Sequence, residues 1–340
     1  MSFSLIKRMA IFFFCVITMF PAYLNYKKDQ PSYDITQIAD PAAITVVSAN
    51  IRGFNQDDKG NTHWFVRAPL LVKTLQKAAP DIIGMEEVSK VQYDYLKKSL
   101  CGYNSETLYS DDDAFSGSTP LFFNTAKFDL VQKGGFWVSE TPEKMSKGWD
   151  AACYRVCVFL VLRQKSDGRT FAVFNTHLDH KGAEARVNGV RMIAERMKAY
   201  GDIPCILLGD LNFGAEYGRA YRTATSLFRD AKYCTDDSDD GTTWHGWEIT
   251  DYVEIDDYFF ISKTGINVQQ YKILRDSYNG VYPSDHYPIM MKITLTDASP
   301  EEDVPQIVPA DPIVIPHTPL EPREPVTAPA GVPDALVQTP

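Results

Sequence analysis

Uninterrupted apolar runs, rather than alternating ones, constrain this 340-residue chain most. Ile44–Ala49, Asp81–Met85, Tyr154–Leu162, Thr170–Asn175, Ile203–Leu208, Tyr258–Ser262 and Tyr287–Leu295 are bounded by turn residues and short enough to be strands. A strand that is apolar on both faces has to be covered on both faces. The intervening spacing predicts a helix over Val66–Ala79, with Leu71, Leu75 and Ala78 on one face. A second helix is predicted over Glu184–Tyr200, where Val190, Ile193, Ala194 and Met197 recur at helical spacing. Strands and helices that alternate in this way read as an α/β layered domain over residues 43–297. Within it, Lys263–Pro283 reads as a polar connection.

The two ends differ from this core. Lys7 and Arg8 precede the apolar run Met9–Phe20, which is followed by Pro21 and Ala22. That run falls short of the roughly 20 residues that span a bilayer, so residues 1–22 read as a signal peptide or N-terminal anchor. The expected destination is outside the cytoplasm, secreted or periplasmic, with membrane contact only through this segment if it stays uncleaved. Residues 23–42 read as a linker. Residues 298–340 hold most of the chain's acidic bias and about half of its 21 prolines. Such a tail buries too little apolar surface to offset its ordering entropy, and is expected to be disordered and of polyproline character.

The formal net charge is −10, and the core is mildly acidic even without the tail. That excludes a protein that coats nucleic acid, which needs clustered Lys and Arg. It does not exclude an enzyme that grips a few phosphates around a metal. Cys15 lies in the leader. Cys153 and Cys157, four apart in a strand, would lie about 13 Å from each other, too far to pair. No spacing matches a zinc site, and the five remaining cysteines read as mostly buried thiols.

Six stretches place polar groups at the edge of an apolar strand: Asn50 in VVSAN, Glu87 in DIIGMEEV, His177 in FNTHLDH, Asp210 and Asn212 in ILLGDLNF, Asp257 in IDDYFFIS, and Asp285 with His286 in SDHYPI. Polar groups converging at strand ends are how layered α/β domains build sites. Carboxylates and an amide are hard ligands that select Mg²⁺ or Mn²⁺, and also suit Ca²⁺. Two imidazoles beside them can move protons near neutral pH. His245, between Trp244 and Gly246, is a candidate substrate-binding residue, with Trp244 and Trp247 available for base stacking.

This set, in this order, resembles the endonuclease/exonuclease/phosphatase (DNase I-like) superfamily from about Ile44 to Leu295, with GDLN and SDHYPI the most specific pieces. KGWDAACYRVCVF, THLDHKGAEAR and TTWHGW look most like exported bacterial members of its deadenylase-like branch. The resemblance implies a four-layer sandwich, two packed mixed β-sheets flanked by helices, with the site at one edge. It implies Glu87 as principal metal ligand beside Asn50 and Asp285. Asp210 would orient or deprotonate the attacking water, and Asn212 would hold the phosphate. His286, steered by Asp257, would be the base or a phosphate-polarising group. His177 would hold a phosphoryl oxygen or assist the leaving group, and Arg155 would contact phosphate. The chain departs from the pattern at Glu86, where Gln is usual, and at Ile255, where Arg is common.

The activity implied is a divalent-metal-dependent phosphodiester hydrolase, with in-line attack of water on phosphorus. A nuclease acting on nucleic acid as a monomer is the expected member. The alternatives are a sphingomyelinase-like or other phospholipid or small-molecule phosphodiesterase or phosphatase, and a non-catalytic binding module. The complete ligand set argues against the last.

Overall fold

Side-chain parity along the strands explains the uninterrupted apolar runs. The computed structural model describes residues 23–24, 26–27 and 40–297, except 56, 114–115, 215–217 and 249–252. One sheet contains Ala43–Asn50 (β1), Ile82–Glu86 (β2), Tyr103–Glu106 (β3), Leu121–Asn124 (β4), Ile266–Ile273 (β11) and Ile289–Leu295 (β12), in the order β11-β12-β1-β2-β4-β3. The other contains Phe128–Trp137 (β5), Val156–Gln164 (β6), Thr170–Thr176 (β7), Cys205–Gly214 (β8), Arg229–Asp230 (β9) and Ile255–Ile261 (β10), in the order β5-β6-β7-β8-β10-β9. The β1–β2 and β7–β8 pairs are parallel and their neighbours antiparallel, so both sheets are mixed.

Alternate residues feed different cores. Val156, Val158, Leu160 and Leu162 of β6 meet Ile44 and Val46 of β1 between the sheets. Cys157, Phe159 and Val161 face outward, onto Val187, Val190 and Ile193 of the helix Ala183–Lys198 (α3) and Ala220 and Ala224 of Arg219–Leu227 (α4). Val47 and Ala49 of β1 pack outward against Leu71, Val72 and Leu75 of Trp64–Ala78 (α1) and Leu96 of Lys90–Ser99 (α2). The result is the expected four-layer α/β sandwich.

Helix α1 starts two residues before its predicted position because His63 caps it, its Nδ1 accepting from Phe65 N at 3.2 Å. It ends at Ala79, in the left-handed region at φ 47°, ahead of Pro80. The elements that local patterning missed lie at sheet edges or on half-exposed helices. β5 exposes Asp129–Val131, and α2 buries only four of its ten residues. β11 runs through the stretch read as polar, with Ile266, Val268, Tyr271 and Ile273 buried and a bulge between Val268 and Gln270.

Two glycines mark where backbones must approach closely. A Cβ at Gly84 would lie 2.1 Å from Leu208 Cδ1, on the facing sheet. At Gly209, with φ 133°, it would lie 1.9 Å from the Thr176 carbonyl oxygen. This second approach holds the GDLN segment against the end of β7.

The residues read as a leader (1–22) and a tail (298–340) lie outside the described residues, within which no helix is long and apolar enough to cross a membrane. The linker reading needs correction at Tyr26. This ring is buried, stacked 4.6 Å from Tyr95 and tilted against Phe65 at 4.7 Å. Tyr26→Ala should therefore destabilise the fold by about 3 kcal/mol, the scale of a buried aromatic truncation, read as a lower urea midpoint at unchanged slope. An unchanged midpoint would return residues 23–42 to the status of a spacer. The reading of the five cysteines as mostly buried thiols needs correction: among the described residues all five are free, Cys101 and Cys153 are exposed, and only Cys157 and Cys205 are buried.

Candidate active site

The strand ends that carry the six motifs converge on one cleft of about 840 Å³. Glu87, Asp210, Asn212, Asp285, His286, His177 and Arg155 line it. Asp257 lies directly behind His286, their Nδ1 and Oδ2 atoms 2.9 Å apart. Three residues at the cleft adopt left-handed backbone without being glycine: Arg52 (φ 58°), Glu87 (φ 61°) and Asn212 (φ 51°). Such conformations cost energy and persist where surrounding contacts enforce them. At Glu87 the turn lifts the carboxylate off the end of β2 into the cleft, where Oε2 accepts from Gly53 N at 2.8 Å.

This turn separates two adjacent acids. Glu86 is fully buried, and neither carboxylate oxygen meets a donor. Burial, reinforced by Asp257 and Asp210, keeps its carboxyl well above the usual carboxylate range. Asn175 and His286 pull weakly the other way, and Asn175 Oδ1 is likewise buried without a donor. Glu87 behaves oppositely: burial works against its charge, but the Gly53 N–H, His286 and Asn50 bring it below the usual value.

Asn50 presents its amide nitrogen to the cleft, donating to Asp210 Oδ2 at 2.9 Å and Glu87 Oε1 at 3.3 Å. Its oxygen accepts from Arg52 N at 3.0 Å. As placed, it bridges the two carboxylates. Asp210 Oδ1 accepts from Asn212 N at 3.1 Å. Its Oδ2 is also 3.4 Å from His177 Nε2 and 3.9 Å from His286 Nε2. Burial, with Asp257 and Asp256 nearby, raises the Asp210 carboxyl well above the ordinary range against the pull of His286 and Asn50. The two imidazoles diverge. Burial, Arg155, His286 and His180 push His177 far down, so it is neutral and makes no ion pair with Asp210. Burial also opposes charge on His286, but Asp257, Asp210 and Asp285 outweigh it and hold it cationic.

His245 needs correction as a substrate-binding residue. It is buried behind the Asp285 loop, where its ring packs 4.4 Å from Tyr287 and 4.8 Å from Tyr282, and its backbone N–H donates to Asp285 O at 2.9 Å. Of the flanking tryptophans, Trp244 reaches the cleft, while Trp247 lies under the Arg67 guanidinium.

Local patterning also missed Arg67. It is fully buried, and its guanidinium donates to the carbonyls of Thr62, Ile51, Arg52 and Pro283 at 2.6–3.2 Å. One cation thereby ties the loop after Asn50 to the loop before Asp285. The available signal was a charged residue on the apolar face of α1, one turn before Leu71.

Cys153, Asp179 and His180 place donor atoms within 4.8 Å of one another. The Asp179 carboxylate already accepts from the backbone N–H groups of Cys153, Lys181 and Gly182, and faces Arg155 at 3.6 Å. This cluster staples two loops.

Residues 47–286 match the Endonuclease/Exonuclease/phosphatase family. The chain belongs to that family. Its members are phosphoesterases that generally use divalent metals such as Mg²⁺, which makes a hydrolase the activity class of this chain. A mannosyl-6-phosphatase of Bacteroides thetaiotaomicron VPI-5482 is similar in structure (TM-score 0.68) and 32% identical, over 75% of this chain and 100% of that one. An endonuclease/exonuclease/phosphatase family protein from the same species matches equally well, over 98% of its length. Uncharacterized protein L388 of Acanthamoeba polyphaga mimivirus is 26% identical over 180 residues, 50% of this chain and 67% of that protein. The four-layer fold of the family is thus present with its cleft.

Proposed function

We propose that this chain is a divalent-metal-dependent phosphoester hydrolase acting on the phosphomonoester of a compact, uncharged alcohol. The observation that carries this reading is the charge of the cleft. Its three Arg and Lys side chains are all engaged within the protein. Arg52 lies 3.4 Å from Asp58 and 3.6 Å from Asp285, Lys147 donates to Ala152 O at 2.7 Å, and Arg155 faces Asp179. Six carboxylates line the same walls: Glu87, Asp111, Asp210, Glu254, Asp256 and Asp285. A metal can offset that charge for one phosphoryl group, but among the described cleft residues only Lys147, tied to a carbonyl rather than to an acid, keeps an unpaired charge for the flanking phosphates of a polymer. Similarity to the mannosyl-6-phosphatase supports the same class.

The donor set fits a hard cation. Glu87 and Asp285 are buried carboxylates, and Glu87 lies close enough to oppose the ionisation of Asp285. The two carboxylates would hold Mg²⁺ or Mn²⁺, whose charge would offset that on the phosphoryl oxygens, while Asn50, expected as a third ligand, turns its N–H rather than its oxygen toward Glu87 and Asp210. Asp210, whose proton affinity burial raises, is suited to accept a proton from the attacking water. The His286 imidazolium can donate to a phosphoryl oxygen while Asp257 fixes its ring, and neutral His177 and Asn212 complete the cradle.

A second reading, a nuclease, is favoured by Trp244, which stands 39% exposed at the rim where a base could stack. A panel of hexose 6-phosphates, phenyl phosphate, single-stranded DNA, RNA and sphingomyelin, assayed with Mg²⁺, separates the readings. Release of inorganic phosphate from the monoesters is expected. Cleavage of nucleic acid or lipid with none of the monoesters would replace the proposal. Export through residues 1–22 is part of the same proposal, supported by the basic pair and apolar run of that segment.

A further inference from the structure

We infer that Trp244, Glu254 and Asp256 form a saccharide subsite that seats the hydroxylated leaving group beside the scissile phosphate, an inference that rests on the phosphomonoester reading. All three line the cleft. The short segment 242–244 is fastened to 254–257. Thr243 N and Trp244 N donate to Glu254 O at 2.9 and 3.3 Å, and Thr243 Oγ1 accepts from the backbone N–H groups of Asp256 and Asp257 at 3.0 and 3.2 Å. Trp244 also forms an antiparallel bridge with His286, so the wall is anchored directly to the reacting end of the cleft.

The Trp244 ring is held in place by Gly246. A Cβ there would lie 2.7–3.3 Å from three ring atoms, and φ at this residue is +55°. Glycine lets the indole lie against the backbone while the residue stays 39% exposed at the cleft. Asp256 accepts from Gly214 N at 3.0 Å through Oδ1, and no described residue donates to its other oxygen or to the Glu254 carboxylate. Both acids therefore offer acceptors beside an aromatic face.

Such a wall discriminates by chemistry. Hydroxyl groups rotate freely and can all turn a hydrogen toward a carboxylate. A sugar also presents a C–H face that an indole covers. A nucleobase edge mixes donors with fixed acceptors, some of which would face carboxylate lone pairs. A second phosphate would be repelled.

The test compares the full-length enzyme with Trp244→Ala, Glu254→Gln and Asp256→Asn in Mg²⁺, on glucose 6-phosphate, mannose 6-phosphate, phenyl phosphate and choline phosphate. The ratio of kcat/KM on a hexose phosphate to that on phenyl phosphate should fall by about 10- to 100-fold in Glu254→Gln and in Asp256→Asn, the scale of a hydrogen bond to a charged group, while Trp244→Ala, whose indole would also cover a phenyl ring, should weaken both substrates. A ratio that stays constant in both acid variants, because both substrates decline together, overturns the subsite and leaves the phosphomonoester reading standing. Preference for choline phosphate that is lost in Glu254→Gln would overturn it in favour of an ammonium site. Saturation-transfer NMR with free mannose tests the subsite apart from turnover. Binding should appear in the wild type and vanish in Trp244→Ala, and absence of binding in the wild type overturns the subsite whatever the enzyme hydrolyses.

Discussion

Replacing His286 by alanine should lower kcat by at least about 10²-fold, a typical scale for losing a proton-transfer or charge-stabilising group. Asp257→Asn should be milder, because the imidazole survives and only its orientation and charge suffer. The double variant should be no worse than His286→Ala, since the hydrogen-bonded pair acts as one unit. An active His286→Ala enzyme would overturn the catalytic assignment. Stability adds a readout with a definite sign. His286→Ala leaves the buried Asp257 carboxylate without its partner, at a cost of about 3–5 kcal/mol. The His286 pKa is raised in the folded protein, so its charge contributes fully below the unfolded imidazole value and the contribution is lost as pH rises through the folded value. The gap in melting temperature between the metal-free wild type and His286→Ala should thus narrow on the alkaline side. Asp210→Ala should cut kcat on a similar scale yet cost little stability, because burial and neighbouring acids already oppose that charge.

Chelation by EDTA should abolish turnover, and Mg²⁺ or Mn²⁺ should restore it, because Glu87 and Asp285 place buried carboxylates together with Arg52 as partial compensation. Metal at one hundred times its Kd should add about 2.7 kcal/mol of stability, which for a domain of this size raises Tm by roughly 5–10 °C. Glu87→Gln should weaken both effects. Burial, reinforced by Glu87, raises the Asp285 carboxyl against the pull of His286, Arg52 and Arg67, so protons compete for this ligand at higher pH than for an ordinary aspartate. Mn²⁺ affinity, followed by electron paramagnetic resonance, should fall as pH drops toward the upper carboxylate range. Full activity in EDTA, or a Tm indifferent to metal, would remove the metal from the proposed mechanism.

How much of this was legible beforehand follows from the range of the interactions. Seven apolar runs became strands and two periodic segments became helices, because burial on both faces or on one helical stripe is written into neighbouring residues. The order of polar groups at the strand ends was likewise local, and it was enough to point to the family. Edge strands such as β5 and β11 were hidden because half-exposed strands carry mixed patterns that a partner strand must complete. The site divided along the same line. Local sequence offers Glu86 and Glu87 as equivalent acids, and only the left-handed turn at Glu87 sends one into the cleft and the other into the core. His245 and Trp247 look like cleft residues beside Trp244, yet they fill space behind the Asp285 loop, because that loop arrives from 40 residues downstream in sequence. Tyr26 docks on Phe65 and Tyr95, and Arg67 caps carbonyls from three separate segments, through contacts that no local pattern encodes. The charge of the cleft is a tertiary property too. Composition counts its acids and bases, but only the fold pairs Arg52 and Arg155 with internal acids, turns Lys147 onto a carbonyl and leaves Glu254 and Asp256 lining the cleft.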